Sequence, residues 1–360
     1  MVHSALRIDL DRLLGRLEDL AAIGAIEGTA GSCRLALTDE DRAARDLVIE
    51  WMRGLDLEVS VDRIGNVVAV MAGREPGPPV MCGSHIDTVR TGGRYDGNLG
   101  VLAGLEVVQT LRQAGITPRR PLAVAVFTDE EGARFAPDML GSLVYVGGMA
   151  LEEALQITGI DGAVLGDELA RIGYAGATPV PGLVPHAFVE LHIEQGPVLE
   201  AEGDTIGAVT GVQGISWQEI VVTGQSNHAG TTPMHLRHDP ARVMGECVAF
   251  ARRLASDITA ECGTAQVATV GRVELAPNLV NVVPATASFT VDLRNSDEQA
   301  LAEAERRFAR FVATTAADEG CSVFTTELAR FEPVAFHPRV IDLVATTAAE
   351  LGHRVRRLPS

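Results

Sequence analysis

The sequence predicts a large α/β domain, with a mixed sheet and helices on both of its faces, that is interrupted by a small ferredoxin-like α+β domain. The first observation is the length of 360 residues, which is too long for one compact core. The second is that strand-like runs alternate with amphipathic helices in the first half of the chain, as in an α/β sheet. The third is a β-α-β-β-α-β order after Gly214, which is the order of the ferredoxin-like unit. We therefore assign residues 1–213 and 330–360 to the larger domain and residues 214–329 to the inserted one.

Periodic apolar residues define the elements of the larger domain. Between Ala44 and Leu55 they recur at helical spacing, behind Thr38 as the N-cap and an acidic first turn, which predicts an amphipathic helix. The other elements follow in chain order: two short strands on either side of Gly65 and Asn66, a strand at residues 80–84, a helix at residues 99–114 and a buried strand that ends at Thr128.

The inserted domain has its own series of signals. Ser296 and Gln299 are placed as a capping box at the start of its second helix, and Gly320 as the stop of that helix. The predicted elements are a strand at residues 215–224, a helix at 239–258, strands at 266–275 and 285–294, a helix at 296–319 and a strand at 321–328.

Composition excludes several classes of partner and chemistry. The chain carries 48 Asp and Glu against 30 basic residues, for a net charge of -18. Such a surface repels nucleic acids and anionic membranes, so we expect neither as a partner. Every basic residue is arginine. The absence of lysine excludes a P-loop lysine, a Schiff-base lysine and a Ser-Lys nucleophile.

The cysteines and the apolar runs predict a cytoplasmic protein. The five cysteines are scattered without a C-x-x-C pair, so we interpret them as buried thiols in a reducing compartment. No apolar run approaches the ~20 residues of a membrane span. The segment from Met1 to Leu20 mixes charged and apolar residues, unlike a signal peptide.

The stretch GSHIDTVRTGGRYDGNLG, residues 83–100, is the richest in chemistry. His85 and Asp87 are two residues apart at the end of a strand, and Asp96 follows on a glycine-rich loop ahead of a helix. An imidazole, a carboxylate to orient it and a further oxygen ligand are the parts of a metal site. The alternative is that Asp96 caps the helix and His85 bonds locally, which H-x-D alone would favour.

Two further stretches carry polar groups at strand ends. Glu130 and Glu131 follow the carboxyl end of an apolar strand, where α/β proteins collect their active residues, although a solvated acidic turn is the commoner fate of such a pair. In FVELHIEQGP, strand periodicity would place Glu190, His192 and Glu194 on one face. Position alone does not say which of these three is a ligand.

Together these motifs resemble one family of dinuclear metal hydrolases. The family includes allantoate amidohydrolase, N-carbamoyl-L-amino-acid hydrolase and yeast-type β-ureidopropionase, which are relatives of aminoacylases and bacterial carboxypeptidases. The resemblance runs from about Leu13 to the end of the chain. Its motifs stand in the expected order: GSHIDTV, GGRYDGNLGVLAGLEV, DEEGARF, LHIEQGP, NHAGTTPM and PNLVNVVP.

The resemblance implies two divalent metal ions, of zinc, manganese, cobalt or nickel. His85, Asp96 and His192 match the ligands of one ion, while Asp96 also bridges to a second ion that Glu131 binds. Glu130 matches the general base, and Asp87 the carboxylate that orients His85. A histidine at position 192, where the peptidase relatives carry an acidic residue, favours the carbamoyl and ureido branch.

The resemblance also implies a substrate and a homodimer. His228 matches a histidine that reaches the partner subunit's active site and holds the developing oxyanion, so the inserted domain would serve as a dimerisation and lid domain. Gln195, Asn278 and Arg294 match residues that bind the substrate, a small ureido or carbamoyl compound with a carboxylate. The expected reaction is hydrolysis of its C–N bond with release of ammonia. The alternatives are an aminoacylase or dipeptidase on the same scaffold, or an inactive metal-binding or ligand-binding fragment.

One part of the family pattern is missing from the sequence. Family members continue into a Pro-Ser-Gly-Ala-Gly-His-Asp-like segment whose histidine completes the second metal site, whereas this chain ends at Leu358–Ser360. Neither His337 nor His353 stands in such a motif. Either the given chain is truncated, or it is a natural fragment whose second site keeps only Asp96 and Glu131. Because such a site would hold its metal more weakly, we expect this form to be poorly active or metal-free.

Overall fold

The computed structural model describes residues 6–360, which form two compact units that divide after Ile193. Met1 to Ala5, which open the segment considered as a possible signal peptide, lie outside the described residues. No helix within residues 6–360 is long and apolar enough to cross a membrane. The predicted domain bounds at 213 and 330 stay a prediction.

The first unit consists of helices around a five-stranded sheet. Its elements are, in chain order, α1 (Leu10–Ala22), α2 (Asp39–Gly54), β1 (Glu58–Val61), β2 (Val67–Met71), β3 (Val80–His85), α3 (Asn98–Gln113), β4 (Leu122–Phe127), α4 (Leu140–Tyr145), α5 (Leu151–Ala154), α6 (Leu165–Ile172) and β5 (Ala187–Val189).

The sheet of the first unit is mixed, as predicted. The strand order is β1-β2-β4-β3-β5. The pairs β1/β2 and β2/β4 are antiparallel, whereas β3 runs parallel to both β4 and β5. The carboxyl ends of the three parallel strands therefore lie at one edge, where the polar motifs of the sequence begin.

Alternate residues of β4 divide the core of this unit between the two faces of the sheet. Val124 and Val126 belong to the large core shared with the helices, whereas Ala123 and Ala125 belong to a smaller cluster with Tyr145. Helices α1 and α3 pack together, and α3 packs on β3 and β4. That helices cover both faces stays a prediction.

Two local predictions for the first unit have different outcomes. Thr38 caps α2, since its side chain accepts a hydrogen bond from the Asp41 N–H.

The strand predicted for FVELHIEQGP ends at Val189, so the assignment of Glu190, His192 and Glu194 to one strand face is wrong. The carboxylate of Glu194 instead accepts from the backbone of the next helix, which removes it from the ligand candidates.

The second unit begins at Glu194 and contains a larger sheet and several short strand pairs. Its elements are α7 (Val198–Glu202), β6 (Ile206–Val209), β7 (Gly211–Val212), β8 (Gly214–Thr223), β9 (Asn227–His228), a 3-10 helix (Met234–Leu236), α8 (Pro240–Cys262), β10 (Val267–Thr269), β11 (Val273–Ala276), β12 (Val282–Val283), β13 (Thr286–Asn295), α9 (Glu298–Asp318), β14 (Ser322–Phe331), β15 (Val334–Ala335), α10 (Pro338–Glu350) and β16 (Val355–Leu358).

The larger sheet has the element order predicted for the inserted domain. Its path is β10-β13-β8-β14, with β11 also paired to β13, and all pairs are antiparallel. Strand β13 alternates strictly between buried and half-buried residues because its buried face packs against α8 and α9. The single strand predicted at residues 266–275 is instead the two short strands β10 and β11.

The cap of α9 differs from the prediction. Asp297, rather than Ser296, is the N-cap, and its carboxylate accepts from the Ala300 N–H. Aspartate is as good a cap as serine and also complements the helix dipole. The stop is as predicted, because Gly320 adopts a φ of 69° directly after the helix.

In the rest of the second unit, strands from its first residues pair with strands from its last residues. Strand β16 pairs in parallel with β6, and β15 pairs with β7. Helix α10 packs on β6.

All five cysteines are free thiols, but they are not all buried as predicted. Cys247 is buried in α8, whereas Cys262, the last residue of that helix, is exposed. Cys33, Cys82 and Cys321 are half-buried.

Candidate metal centre

The parallel pairing of β3 and β4 brings two of the predicted motifs together. His85, the last residue of β3, lies opposite Phe127, the last residue of β4. The chain therefore leaves both strands at the same edge, so that Glu130 follows close to the His85 ring. His85 Nε2 lies 3.2 Å from Glu130 Oε2.

The His85 ring is held by a main-chain contact. Its Nδ1 lies 2.9 Å from the carbonyl oxygen of Asp87, whereas the Asp87 carboxylate is 4.0 Å away. A carbonyl oxygen only accepts, so the neutral ring carries its proton on Nδ1 and keeps the lone pair of Nε2 free for a metal. The ring is almost fully buried, with 1% of its surface exposed.

The carboxylate of Asp87 has a partner that the sequence did not suggest. It accepts hydrogen bonds from the backbone N–H groups of Glu130 and Glu131, at 3.3 and 3.2 Å. Asp87 therefore fixes the turn that carries both glutamates, in addition to holding His85 through its carbonyl group.

Asp96 reaches the site on the loop between β3 and α3. The next residue, Gly97, has a φ of +63°, and a Cβ atom at this position would lie 2.5 Å from ring atoms of His85. Only glycine combines this backbone conformation with so close an approach. The loop thus packs directly against the ring of His85.

His192 follows β5 and completes a group of three potential ligands. Its Nδ1 lies 2.9 Å from the carbonyl oxygen of Ile193, so its Nε2 is also free for a metal. This Nε2 lies 3.2 Å from Asp96 Oδ1, while His85 Nε2 lies 4.0 Å from the same oxygen. One ligand atom from each of His85, Asp96 and His192 lies within 4.8 Å of the others, so a single cation could contact all three.

Burial and crowded carboxylates shift the pKa values at this edge of the sheet. Burial raises the pKa of Glu130 to about 7, opposed by His85 and reinforced by Asp87 and Glu131. Burial also raises the pKa of Glu131, and that of Asp87 as well. For His85, burial lowers the pKa, but the carboxylates of Asp87 and Glu130 outweigh this effect and the net shift is upward. Burial and neighbouring acids therefore favour the neutral forms of Asp87, Glu130 and Glu131.

A buried oxygen atom without a partner supports a cation at this site. Among residues 6–360, Glu131 Oε1 is buried and has no hydrogen-bond partner. Such atoms are costly in a protein interior. A divalent cation would compensate the charge, and a set of two imidazoles with carboxylates suits zinc, manganese, cobalt or nickel. The residues present therefore fit a metal centre.

Two features of this edge of the sheet were not predicted from the sequence: the buried Asp129 and the partner of Glu190. Asp129 is fully buried with a φ of 53°, and burial raises its pKa well above its usual value. Its position directly before the Glu-Glu pair was the available signal. Glu190 accepts a hydrogen bond from Ser84 Oγ at 2.5 Å, which no sequence pattern indicated because the two residues are far apart in the chain.

The other predicted site residues lie in the second unit. His228 is exposed in β9, which pairs with β12, and its Nδ1 accepts from the Gly230 N–H. Asn278 is exposed between β11 and β12, and Gln195 is exposed with a φ of 53°. Arg294 lies on the face of β13 away from the helices, donates to the Asp292 carboxylate and stacks over Trp217. Their roles stay predictions.

Replacing Gly97 with alanine tests whether the loop contact shapes the metal centre. We expect Gly97→Ala to lower the stability by about 1–3 kcal/mol, because of the left-handed backbone and the clash with His85, and to weaken metal binding. Gly93→Ala is a matched control in the same loop, since a Cβ atom there meets nothing within 4 Å. Thermal unfolding and metal titration of both variants check the prediction, and equal behaviour of the two would contradict it.

Comparison with known proteins shows the family of this chain. Residues 81–360 match the model of peptidase family M20/M25/M40, and the chain belongs to this family. It is 39% identical to an N-carbamoyl-L-amino-acid amidohydrolase of Rhizobium meliloti, over 98% of this chain and 84% of the relative. It is 30% identical to the allantoate amidohydrolase of Bacillus subtilis, over 96% of this chain and 83% of the relative. A crystal structure of an amidase of the hydantoinase/carbamoylase family from Burkholderia multivorans aligns with a TM-score of 0.93 and 43% identity, covering 99% of this chain and 86% of the other.

Proposed function

We propose that the protein is a metal-dependent hydrolase that cleaves the C–N bond of N-carbamoyl-L-amino acids, with release of ammonia and carbon dioxide. The convergence of His85, Asp96 and His192 carries this proposal, because one ligand atom from each lies close enough to the others to hold a metal ion. The likeness to an amidohydrolase of Rhizobium meliloti, 39% identical over nearly the whole chain, supports the substrate class.

The ligand groups divide between two ions. His85, Asp96 and His192 would hold one ion, and Asp96 with Glu131 would hold the second. The unpartnered, buried Oε1 of Glu131, found so among the described residues, supports its assignment as a ligand. When bound, the ions polarise the scissile carbonyl group and lower the pKa of water.

Glu130 is the group that moves the proton. Its carboxylate lies within 3.2 Å of His85 Nε2, and its pKa of about 7 suits both the acceptance and the later donation of a proton near neutral pH. Glu130 accepts the proton of the attacking water and then donates it to the leaving nitrogen. Asp87 keeps it in place through the hydrogen bond from the Glu130 N–H.

Residues of the second unit bind the substrate in this proposal. Arg294 presents a planar guanidinium, which can hold a carboxylate with two parallel hydrogen bonds. Its present partner is the carboxylate of Asp292, at 2.9 Å from Nη2, which a substrate carboxylate would have to displace or share. Asn278 and Gln195 are exposed amides that would complete the contacts.

His228 would act in a homodimer, where it donates a hydrogen bond to the oxyanion in the partner's active site. Its exposed position in β9 leaves the ring accessible to a second subunit. Mixing His228→Ala chains with Glu130→Gln chains should then restore part of the activity, because half of the sites in a hybrid dimer can combine intact Glu130 with intact His228. Ammonia release by the mixture, compared with each variant alone, measures the rescue. No rescue after demonstrated subunit exchange would count against the shared site.

A substrate panel tests the proposed reaction. The metal-supplemented protein should release ammonia from N-carbamoyl-L-amino acids. An aminoacylase or dipeptidase would instead release an amino acid from N-acyl substrates or dipeptides without ammonia. Allantoate belongs in the panel because a relative named for it is 30% identical. Turnover of N-acyl substrates alone would overturn the proposal.

A further inference from the structure

Arg34 is a fully buried arginine that bonds to both segments that carry the ligands of the candidate metal centre. Its side chain is 0% exposed. Its Nε donates to the Ile86 carbonyl at 2.7 Å, and its Nη2 donates to Asn98 Oδ1 at 3.0 Å. Ile86 stands between His85 and Asp87, and Asn98 stands two residues after Asp96.

The third nitrogen of the guanidinium, Nη1, connects these two segments to α1. Arg34 Nη1 donates to the carbonyl oxygens of Leu20 and Ile23, at 3.1 and 2.8 Å. Both groups stand at the end of α1, Leu20 in its last turn and Ile23 as its C-cap. The four oxygen atoms that accept from this side chain, in Leu20, Ile23, Ile86 and Asn98, are all neutral.

A buried charge held only by neutral acceptors is expensive. Burial accordingly lowers the pKa of Arg34, although the nearby carboxylates of Asp41 and Asp87 counteract the shift. A position that served packing alone would be filled at lower cost by an apolar side chain. An apolar residue would lose the hydrogen bonds that the guanidinium donates in three directions.

The contacts of Asn98 extend the arrangement to the whole loop that presents Asp96. While its Oδ1 accepts from Arg34, its Nδ2 donates to the Arg94 carbonyl at 3.2 Å. Asn98 is fully buried, and its bond with Arg34 is shielded from water. The backbone of Arg34 is also fixed, because its N–H donates to Thr88 Oγ1 at 2.8 Å.

We propose that Arg34 is a positioning residue that sets the distance between His85 and Asp96 and thereby the metal affinity of the centre. The proposal rests on the proposed function, since it assumes that these two residues hold a metal. Groups that orient metal ligands typically contribute about 10- to 100-fold to metal affinity or activity.

The test is Co²⁺ binding to metal-free protein, which is measured by calorimetry and by the visible absorption of the bound ion. Arg34→Lys keeps the charge but cannot reach acceptors in three directions, so we expect its Kd for Co²⁺ to rise about 10- to 100-fold and the Co²⁺ spectrum to change. Arg12→Lys is the matched control. Arg12 is a partly buried arginine that is paired with Glu106 on α3 and contacts none of the candidate ligands' segments in its ion pair. Its replacement should lower the melting temperature while the Kd for Co²⁺ stays unchanged.

A second variant keeps the test valid if Arg34→Lys does not fold. Asn98→Ala removes the acceptor of Arg34 without removing a charge, and we expect it to weaken Co²⁺ binding as well. Wild-type Kd and spectrum in the folded variants would overturn the positioning role. A wild-type protein that binds no Co²⁺ would instead contradict the metal centre itself, so that the two failures are distinguishable.

Discussion

Replacing Glu130 with glutamine should lower the rate of carbamoyl hydrolysis by about 10²- to 10⁴-fold, the usual contribution of a general acid-base group. The variant should fold normally. A pKa raised to about 7 by burial means that the folded protein favours the neutral form of Glu130, so a neutral amide of the same shape is tolerated. Metal content should stay at the wild-type level because Glu130 is not assigned as a ligand. Steady-state kinetics and metal analysis of the same preparation check both statements.

Glu152→Gln is a suitable control for this substitution. Glu152 is exposed in the first turn of α5, so the change should leave the rate within twofold of the wild type. Wild-type activity in Glu130→Gln would remove Glu130 from the mechanism. A loss of metal together with activity would show that it acts as a ligand instead.

Replacing Asp96 with asparagine should have the other large effect. Asp96 Oδ1 lies within 4.0 Å of the Nε2 atoms of both His85 and His192, and in our assignment it contacts both ions. Asparagine has nearly the same shape but no charge, so we expect metal content to fall and affinity to drop by more than the ~10- to 100-fold that the loss of an outer contact costs. Activity should fall in parallel.

The control for Asp96→Asn is the same substitution at an exposed position. Asp257 on α8 is exposed, so Asp257→Asn should retain both metal and activity. Metal analysis after gel filtration and a titration with added metal distinguish the two variants. An Asp96→Asn protein that retains metal at the wild-type level would contradict the assignment of Asp96 as a ligand.

The sequence predicted those parts of the fold that depend on local periodicity. Apolar spacing predicted elements such as α3 and β13, and Thr38 and Gly320 mark helix ends as expected. It did not predict α1, α4, α5, α6 or α10. Element boundaries that depend on tertiary contacts were less predictable. The end of β5 is an example. The alternation of Glu190, His192 and Glu194 is typical of a strand, but β5 ends at Val189 because it pairs with β3 only as far as that residue.

The candidate ligands were predictable from motifs, whereas the hydrogen bonds that hold their segments in place were not. His85, Asp96 and His192 stand in recognisable motifs, and the structure brings them together. The contacts of Arg34 join residues as far apart as 14 and 64 positions in the sequence. No periodicity or motif encodes such a contact, and a fully buried arginine looks like a surface residue until the fold is known.

Anomalous diffraction from crystals soaked in Zn²⁺ or Mn²⁺ tests the central claim most directly, because it locates the metal without reference to activity. We predict an anomalous peak within bonding distance of His85 Nε2, His192 Nε2 and an Asp96 carboxylate oxygen. A strong peak elsewhere, with these three side chains turned away from it, would contradict the proposed metal centre and the hydrolase function built on it.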